Sequence, residues 1–322
     1  MSCTRAAFVF ILGCLFGLPA YGQENSCQRR TIPVSLETKD AGPAPEISSA
    51  NLEASYKNKP VQINLVTFES RLPRIMLLLD TSASMQRNRN QVINLAEELL
   101  SKLPPPTEVG LAFFAKEVQP IALPTTDREK LKYQLEGLRR SQPSFRGKTA
   151  LWASVLGTLK MLHSPLPGDV IFLISDGENN ESNLKEDNVA LALTSAGVRI
   201  FGLVVQNQQG IRIPSQEATS RIQVWQMIEN TGGTGVAYDA TYIGHFPSAQ
   251  YPPLFDKTGQ PTQFGIALEE QRRQLSTFYR VEINLPETVD KTREWKLNLT
   301  GFSKPQRDTL ILRYPRLLAP CH

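Results

Sequence analysis

The apolar and polar positions between about residues 74 and 277 follow two alternating periods, which predict strands and helices in turn. Continuous apolar runs at 75–79, 170–174 and 198–205 are typical of central parallel strands that are covered on both faces. Between them, apolar residues recur at the spacing of a helical face, as they do over residues 92–103. The pattern therefore predicts an α/β fold: a doubly wound, Rossmann-like, mainly parallel sheet with helices on both faces.

The two ends of the chain carry a different pattern, in which apolar and polar residues alternate strictly. This period of two is typical of antiparallel strands with one buried face. The alternating segments are 31–36, 61–68, 279–285, 295–299 and 310–314, with a stretch rich in Pro, Ser and Ala between the first two. The simplest arrangement pairs the strands of residues 23–73 with those of residues 278–322 in one small β domain beside the domain of residues 74–277.

The first 22 residues read as a signal peptide. Arg5 precedes an apolar stretch from 6 to 18, and the small residues Ala20 and Gly22 stand where a signal peptidase needs them. The stretch is shorter than the roughly 20 apolar residues that span a bilayer. We therefore expect an exported protein, periplasmic or secreted, with no transmembrane segment in the mature chain.

A lipid anchor is a minor alternative to simple cleavage. Ile11-Leu12-Gly13-Cys14 matches a bacterial lipobox, which would place a lipid on Cys14. The apolar run continues past Cys14 and little apolar length precedes it, so cleavage after Gly22 is favoured.

Two of the four cysteines, Cys27 and Cys321, remain after that cleavage, one near each end of the mature chain. An even pair in an exported protein predicts a disulfide, here one that joins the two ends. The alternative is two unpaired cysteines in the terminal tails.

Composition changes this picture little. Hydrophobic residues make up 41% of the chain and charged residues 20%, which is an ordinary globular balance. The formal net charge of +4 is spread over 322 residues without a basic stripe, so nucleic acid is not expected as a partner.

Candidate chemistry is concentrated in three loops that are rich in oxygen-bearing side chains. Asp80-Thr81-Ser82-Ala83-Ser84 follows the first buried strand, Gly147-Lys148-Thr149 opens a helix, and Ser175-Asp176-Gly177 follows the second buried strand. Ligands of open α/β sheets collect outside the carboxyl ends of the strands, where these loops would meet. The side chains of Asp80, Ser82, Ser84, Thr149 and Asp176 would suit a hard divalent cation such as Mg²⁺.

These three motifs, in this order, resemble the metal-ion-dependent adhesion site of von Willebrand factor A domains. The metal-associated positions of that family carry over to Asp80, Ser82, Ser84, Thr149 and Asp176, and none is substituted. Thr231-Gly232-Gly233 also resembles the family's pattern, with a structural role. The flanking β segments resemble exported bacterial "VWFA-related domain" proteins, best known from Acidobacteria.

The resemblance implies a site for Mg²⁺, or for Mn²⁺ or Ca²⁺, that recognises an acidic side chain of a partner protein, without catalysis. Two alternatives stay open: a metal-assisted hydrolase, and a structural envelope subunit in which the metal only stiffens the loops. Against the hydrolase, the metal motif shows no general base, and the three histidines have no zinc spacing.

Glu178 is interpreted as a solvated acid at a helix start rather than as an outer ligand. The loop 238–261 is either a recognition loop or a plain connection.

Overall fold

The computed structural model describes residues 27–39, 42–140, 147–182, 184–206, 215–239 and 263–320, which form two six-stranded sheets, a two-stranded ladder and seven α-helices. The strands are β1 (Arg29–Thr38), β2 (Leu52–Tyr56), β3 (Lys59–Glu69), β4 (Ile75–Asp80), β5 (Val109–Phe114), β6 (Val118–Thr125), β7 (Val170–Ser175), β8 (Arg199–Gln206), β9 (Gly235–Asp239), β10 (Phe278–Asn284), β11 (Arg293–Glu294), β12 (Lys296–Leu299), β13 (Leu310–Arg313) and β14 (Leu317–Leu318). The helices are α1 (Arg89–Lys102), α2 (Arg128–Arg140), α3 (Leu151–Met161), α4 (Glu186–Ser195), α5 (Ser215–Asn230), α6 (Gln263–Ser276) and α7 (Lys304–Thr309), and 3₁₀ helices span Ser49–Asn51 and Ala83–Asn88.

The first sheet has the order β6-β5-β4-β7-β8-β9 and is parallel except for the edge strand β6. Every residue of β4 is buried, as expected of a strand with helices on both of its faces. Ile75, Leu77 and Leu79 pack with residues of α1, α2 and α6, whereas Met76 and Leu78 pack with residues of α3, α4 and α5. The predicted α/β fold with a mainly parallel sheet is thus confirmed.

The second sheet is antiparallel and has the order β12-β2-β3-β10-β1-β13. It interleaves strands from the two ends of the chain, since β10 lies between β1 and β3. Its own core includes Val34, Tyr56, Val281 and Trp295. The sequence predicted strands at both ends, but the domain boundaries after residues 73 and 277 remain predictions.

Strand β2 was not predicted, because it lies in the segment rich in Pro, Ser and Ala. It forms a hairpin with β3 in which Tyr56 pairs with Lys59. The two loop residues, Lys57 and Asn58, both have positive φ, 50° and 61°. Such a loop normally carries Asn-Gly or Asp-Gly, so Lys-Asn gave no turn signal.

The amino ends of β7 and β8 meet the second sheet through a fully buried arginine, Arg199. Its Nη1 donates to the Ser35 hydroxyl at 2.8 Å, and its guanidinium lies 4.9 Å from the ring centre of Phe278. Burial lowers the pKa of Arg199 to about 9, so the group stays charged at neutral pH. This contact lies at the end of the first sheet opposite to the three oxygen-rich loops.

Thr231-Gly232-Gly233 has the structural role that the sequence indicated. The Thr231 hydroxyl accepts a hydrogen bond from the Ile200 backbone N–H at 3.0 Å. A Cβ atom at Gly233 would lie 1.7 Å from the Ile200 carbonyl oxygen, so the close approach of this loop to β8 requires glycine.

Cys27 is disulfide-bonded, and Cys321 lies outside the described residues. The last described residues approach the start of β1, since Arg30 Nη2 donates to the carbonyl oxygen of Ala319 at 3.2 Å. We predict that intact-mass measurement without reductant, on protein from an oxidising compartment, finds no free thiol in the mature chain. Two free thiols would contradict the predicted Cys27–Cys321 bond.

No helix within the described part of the chain is long and apolar enough to cross a membrane. The predicted signal peptide and Cys14 lie outside that part.

Candidate metal centre

The centre begins at Asp80, the last residue of β4, whose side chain is fully buried. The chain turns sharply after it, and the Ser82 backbone N–H donates to Asp80 Oδ1 at 2.9 Å. The 3₁₀ helix that follows holds the hydroxyls of Ser82 and Ser84 3.0 Å apart. One carboxylate and two hydroxyls thus lie together at the carboxyl end of the central strand.

The loop after β7 is bonded directly to this carboxylate. The Ser175 hydroxyl donates to Asp80 Oδ2 at 2.6 Å and accepts from the Gly177 N–H at 3.0 Å. Asp176, between them, is 1% exposed, so its carboxylate is buried beside that of Asp80. Two acidic side chains are therefore enclosed at neighbouring strand ends.

Thr149 comes from the third loop, two residues before α3 begins, and is 1% exposed. The Ala83 N–H donates to the Gly147 carbonyl oxygen at 3.1 Å, which ties this loop to the Asp80 loop. The Thr149 N–H donates to Asn180 Oδ1 at 2.8 Å, which ties it to the Asp176 loop. The five residues predicted to surround a metal thus lie on three loops that are hydrogen-bonded to one another.

The electrostatics of the centre are unfavourable without a cation. Burial, and secondarily the charge of Asp176, raise the pKa of Asp80 to about 7. Hydrogen bonds from Ser175 and Ser82 lower this pKa but do not offset the burial. A divalent cation between two enclosed carboxylates would relieve their repulsion.

The donors present fit a hard cation. Two carboxylates and three hydroxyls offer only oxygen, which Mg²⁺, Mn²⁺ and Ca²⁺ prefer and which soft metals do not. Across the described ranges, no group of three or more His, Cys, Asp or Glu side chains could hold a metal ion. A metal at this centre would consequently depend on the hydroxyls of Ser82, Ser84 and Thr149. Their role as ligands remains a prediction.

The raised pKa of Asp80 predicts how a metal would respond to pH. Below about pH 7 the metal-free centre holds a proton that Mg²⁺ must displace, so binding should weaken as pH falls. In the metal-free protein, the raised pKa contributes stability below about pH 4, and this contribution is lost as pH rises to about 7. Thermal unfolding with and without Mg²⁺ should therefore show a larger metal-induced rise in Tm at pH 8 than at pH 5.5. An equal rise at both values would contradict proton competition at Asp80.

Two supporting residues, Ser175 and Asn180, were missed by the sequence reasoning as contributors to the centre. Ser175 could have been suspected, because a hydroxyl at the end of a strand lies beside the end of the neighbouring strand. Asn180 gave no signal, since its contact with Thr149 depends on the path of two irregular loops.

The interpretation of Glu178 as a helix-start acid is wrong. The next helix, α4, begins only at Glu186. Glu178 instead lies in the irregular loop after β7, where its N–H donates to Asp176 Oδ1 at 3.1 Å. Nearly all of the 238–261 loop lies outside the described residues.

Comparison with known families gives a match over part of the chain. Residues 75–216 match the family model of the von Willebrand factor type A domain, and the first sheet with its helices has that α/β fold. A comparison with curated proteins finds no match.

Solved structures with similarity to the chain include the conserved hypothetical protein BatB from Bacteroides thetaiotaomicron (19% identity, 52% of this chain and 90% of that chain, TM-score 0.41). Proximal thread matrix protein 1 from the mussel byssus is similar at 16% identity, over 56% of this chain and 46% of that chain, with a TM-score of 0.40. The SpRpn10 VWA domain is similar at 14% identity, over 56% of this chain and 98% of that chain, with a TM-score of 0.40. At these identities no function is carried over from these proteins.

Proposed function

We propose that the von Willebrand factor type A domain of this chain binds a divalent metal ion, Mg²⁺ in the first instance, and through it an acidic side chain of a partner protein. Domains of this type are generally protein-interaction modules rather than enzymes. The observation that carries the proposal is the burial of Asp80 and Asp176 on neighbouring loops that are bonded to each other and to the loop of Thr149. That arrangement is costly unless a cation is bound.

A bound Mg²⁺ would supply a Lewis-acidic centre that accepts a further oxygen ligand. Asp80 and Asp176 would balance its charge without exceeding it, which leaves the site able to accept another carboxylate. Ser82, Ser84 and Thr149 would contribute neutral oxygens and keep the number of acidic groups at two. Ser175 holds the Asp80 carboxylate in place through its 2.6 Å hydrogen bond.

No observation favours the hydrolase alternative. A metal-assisted hydrolase needs a base that can reach the attacking water. His163 lies beyond the carboxyl end of α3, whereas Thr149 lies before its amino end. The length of the helix therefore separates His163 from Thr149 by about 16 Å. The other two histidines lie outside the described residues.

We further propose that the protein works outside the cytoplasm, in the periplasm or beyond. The signal-peptide pattern of residues 1–22 supports this, and so does the disulfide at Cys27, because structural disulfides persist in oxidising compartments.

The test is a pull-down from the native envelope with the full mature chain as bait. We expect partners that are retained in Mg²⁺, released by EDTA and rebound when Mg²⁺ is restored. The matched variant is Thr149→Val, which keeps the shape and backbone contacts of Thr149 but removes its hydroxyl, and which should retain less partner.

A competition experiment then tests whether the partner binds through a carboxylate. A peptide rich in Asp and Glu should displace the partners, whereas its Asn and Gln counterpart should not. Partners retained equally in Mg²⁺ and EDTA would overturn the proposal in favour of a purely structural metal.

A further inference from the structure

Asn180 makes hydrogen bonds with both the backbone N–H and the backbone carbonyl group of Thr149. The Thr149 N–H donates to Asn180 Oδ1 at 2.8 Å, and the Asn180 N–H donates to the Thr149 carbonyl oxygen at 3.0 Å. The Glu181 N–H donates to the same carbonyl oxygen at 3.1 Å. One residue pair thus makes a reciprocal contact across two loops, which we name the Thr149–Asn180 contact.

We infer that Asn180 is a positioning residue that fixes the Thr149 hydroxyl in the arrangement a metal requires, and that the centre is preformed before metal or partner binds. This inference rests on the proposed function. Thr149 is the one candidate ligand that reaches the centre from neither of the two strand ends, so its place depends on contacts between loops.

The other backbone contacts of the loop that carries Thr149 hold the residues on either side of it. Ala83 N–H bonds to Gly147, two residues before Thr149, and Ala150 N–H bonds to the Ala115 carbonyl oxygen at 2.8 Å, one residue after it. Only the Asp176 loop bonds the backbone of Thr149 itself, among the contacts of the described residues. Lys148 Nζ lies 3.1 Å from Glu181 Oε2 and adds an ion pair across the same two loops.

The chemistry of asparagine suits this position. Its amide oxygen accepts the Thr149 N–H as an aspartate would, but it brings no third negative charge to a centre that already encloses two carboxylates. Side chains that orient a metal ligand typically contribute 10-fold to 100-fold in metal affinity. Asn180 therefore belongs to the centre functionally, although it is not expected to touch the metal.

The test compares Asn180→Ala with Asn179→Ala in the full mature chain. Asn179 is the same residue type in the same loop, and its buried Oδ1 has no hydrogen-bond partner, so its removal breaks no contact with Thr149. Calorimetric titration with Mg²⁺ should show about 10-fold weaker binding for Asn180→Ala and unchanged binding for Asn179→Ala.

Hydrogen–deuterium exchange without metal gives a second readout that does not depend on metal binding. The amides of Thr149, Asn180 and Glu181 should exchange faster in Asn180→Ala than in the wild type or in Asn179→Ala. Equal Mg²⁺ affinity of Asn180→Ala and wild type would overturn the inference and leave the proposed function standing. A wild type that binds no Mg²⁺ would overturn both, and unchanged exchange in Asn180→Ala would show that the centre is not held by this contact.

Discussion

Replacing Asp169 with alanine should lower the free energy of unfolding by about 3 kcal/mol, because it leaves two arginines without their common partner. Asp169 is fully buried just before β7. Its carboxylate accepts from Arg71 Nη1 at 2.9 Å and from Arg74 Nη2 at 2.6 Å, and also from the backbone N–H groups of Arg74 and Leu166. The arginine side chains are 32% and 21% exposed, so solvent limits the cost to the lower end of the range for broken buried pairs.

Urea unfolding of Asp169→Ala at pH 7 would measure this loss. The matched control is Glu129→Ala, which removes the ion pair between Glu129 and Lys132. The side chain of Glu129 is 83% exposed and that of Lys132 is 51% exposed. Such a surface pair contributes about 0–1 kcal/mol, so this control should unfold close to the wild type. If Asp169→Ala lost no more free energy of unfolding than Glu129→Ala, the ion pairs of Asp169 with Arg71 and Arg74 would not be holding the amino ends of β4 and β7 together.

Replacing Asp80 should abolish any stabilisation by Mg²⁺. At a metal concentration about 100-fold above the dissociation constant, the wild type should gain roughly 2.7 kcal/mol, and Asp80→Ala should gain nothing. Asp80→Asn is the sharper variant, because it keeps an oxygen for the Ser82 N–H and a polar group facing Ser175.

Asp80→Asn should also change the metal-free protein in the opposite direction. Burial and the charge of Asp176 oppose ionisation of Asp80, so a neutral amide should raise the Tm of the metal-free protein at pH 8. The variant would thus be more stable than wild type in EDTA and unresponsive to Mg²⁺. A variant that is destabilised in EDTA, or one that still responds to Mg²⁺, would contradict the role given to Asp80.

The apolar runs made the central sheet predictable, because a continuous run of apolar residues is typical of a parallel strand that is buried on both faces. The residues 75–79 and 170–174 became β4 and β7, and the motifs after them therefore fell at adjacent strand ends. Thr149 was predictable only through the order of the three motifs. Its actual position depends on Asn180 and on Gly147, two loop contacts without periodicity.

The second sheet was predictable in its strands but not in its details. Strict alternation marked β1, β3 and β10, whereas β2 is short and leads into a turn whose Lys57-Asn58 sequence is unusual for its backbone shape. The buried Arg199 gave no signal either, because a cation inside a core is permitted only by partners from distant parts of the chain, here Ser35 and Phe278.

Calorimetric titration of the full mature chain with Mg²⁺ at pH 8 measures whether the Asp80 centre binds a metal ion. The wild-type chain should bind one ion, Asp80→Asn should bind none, and Thr149→Val should bind more weakly than the wild type. A wild-type chain that binds no Mg²⁺, Mn²⁺ or Ca²⁺, or an Asp80→Asn variant that binds as the wild type does, would contradict a metal centre at Asp80.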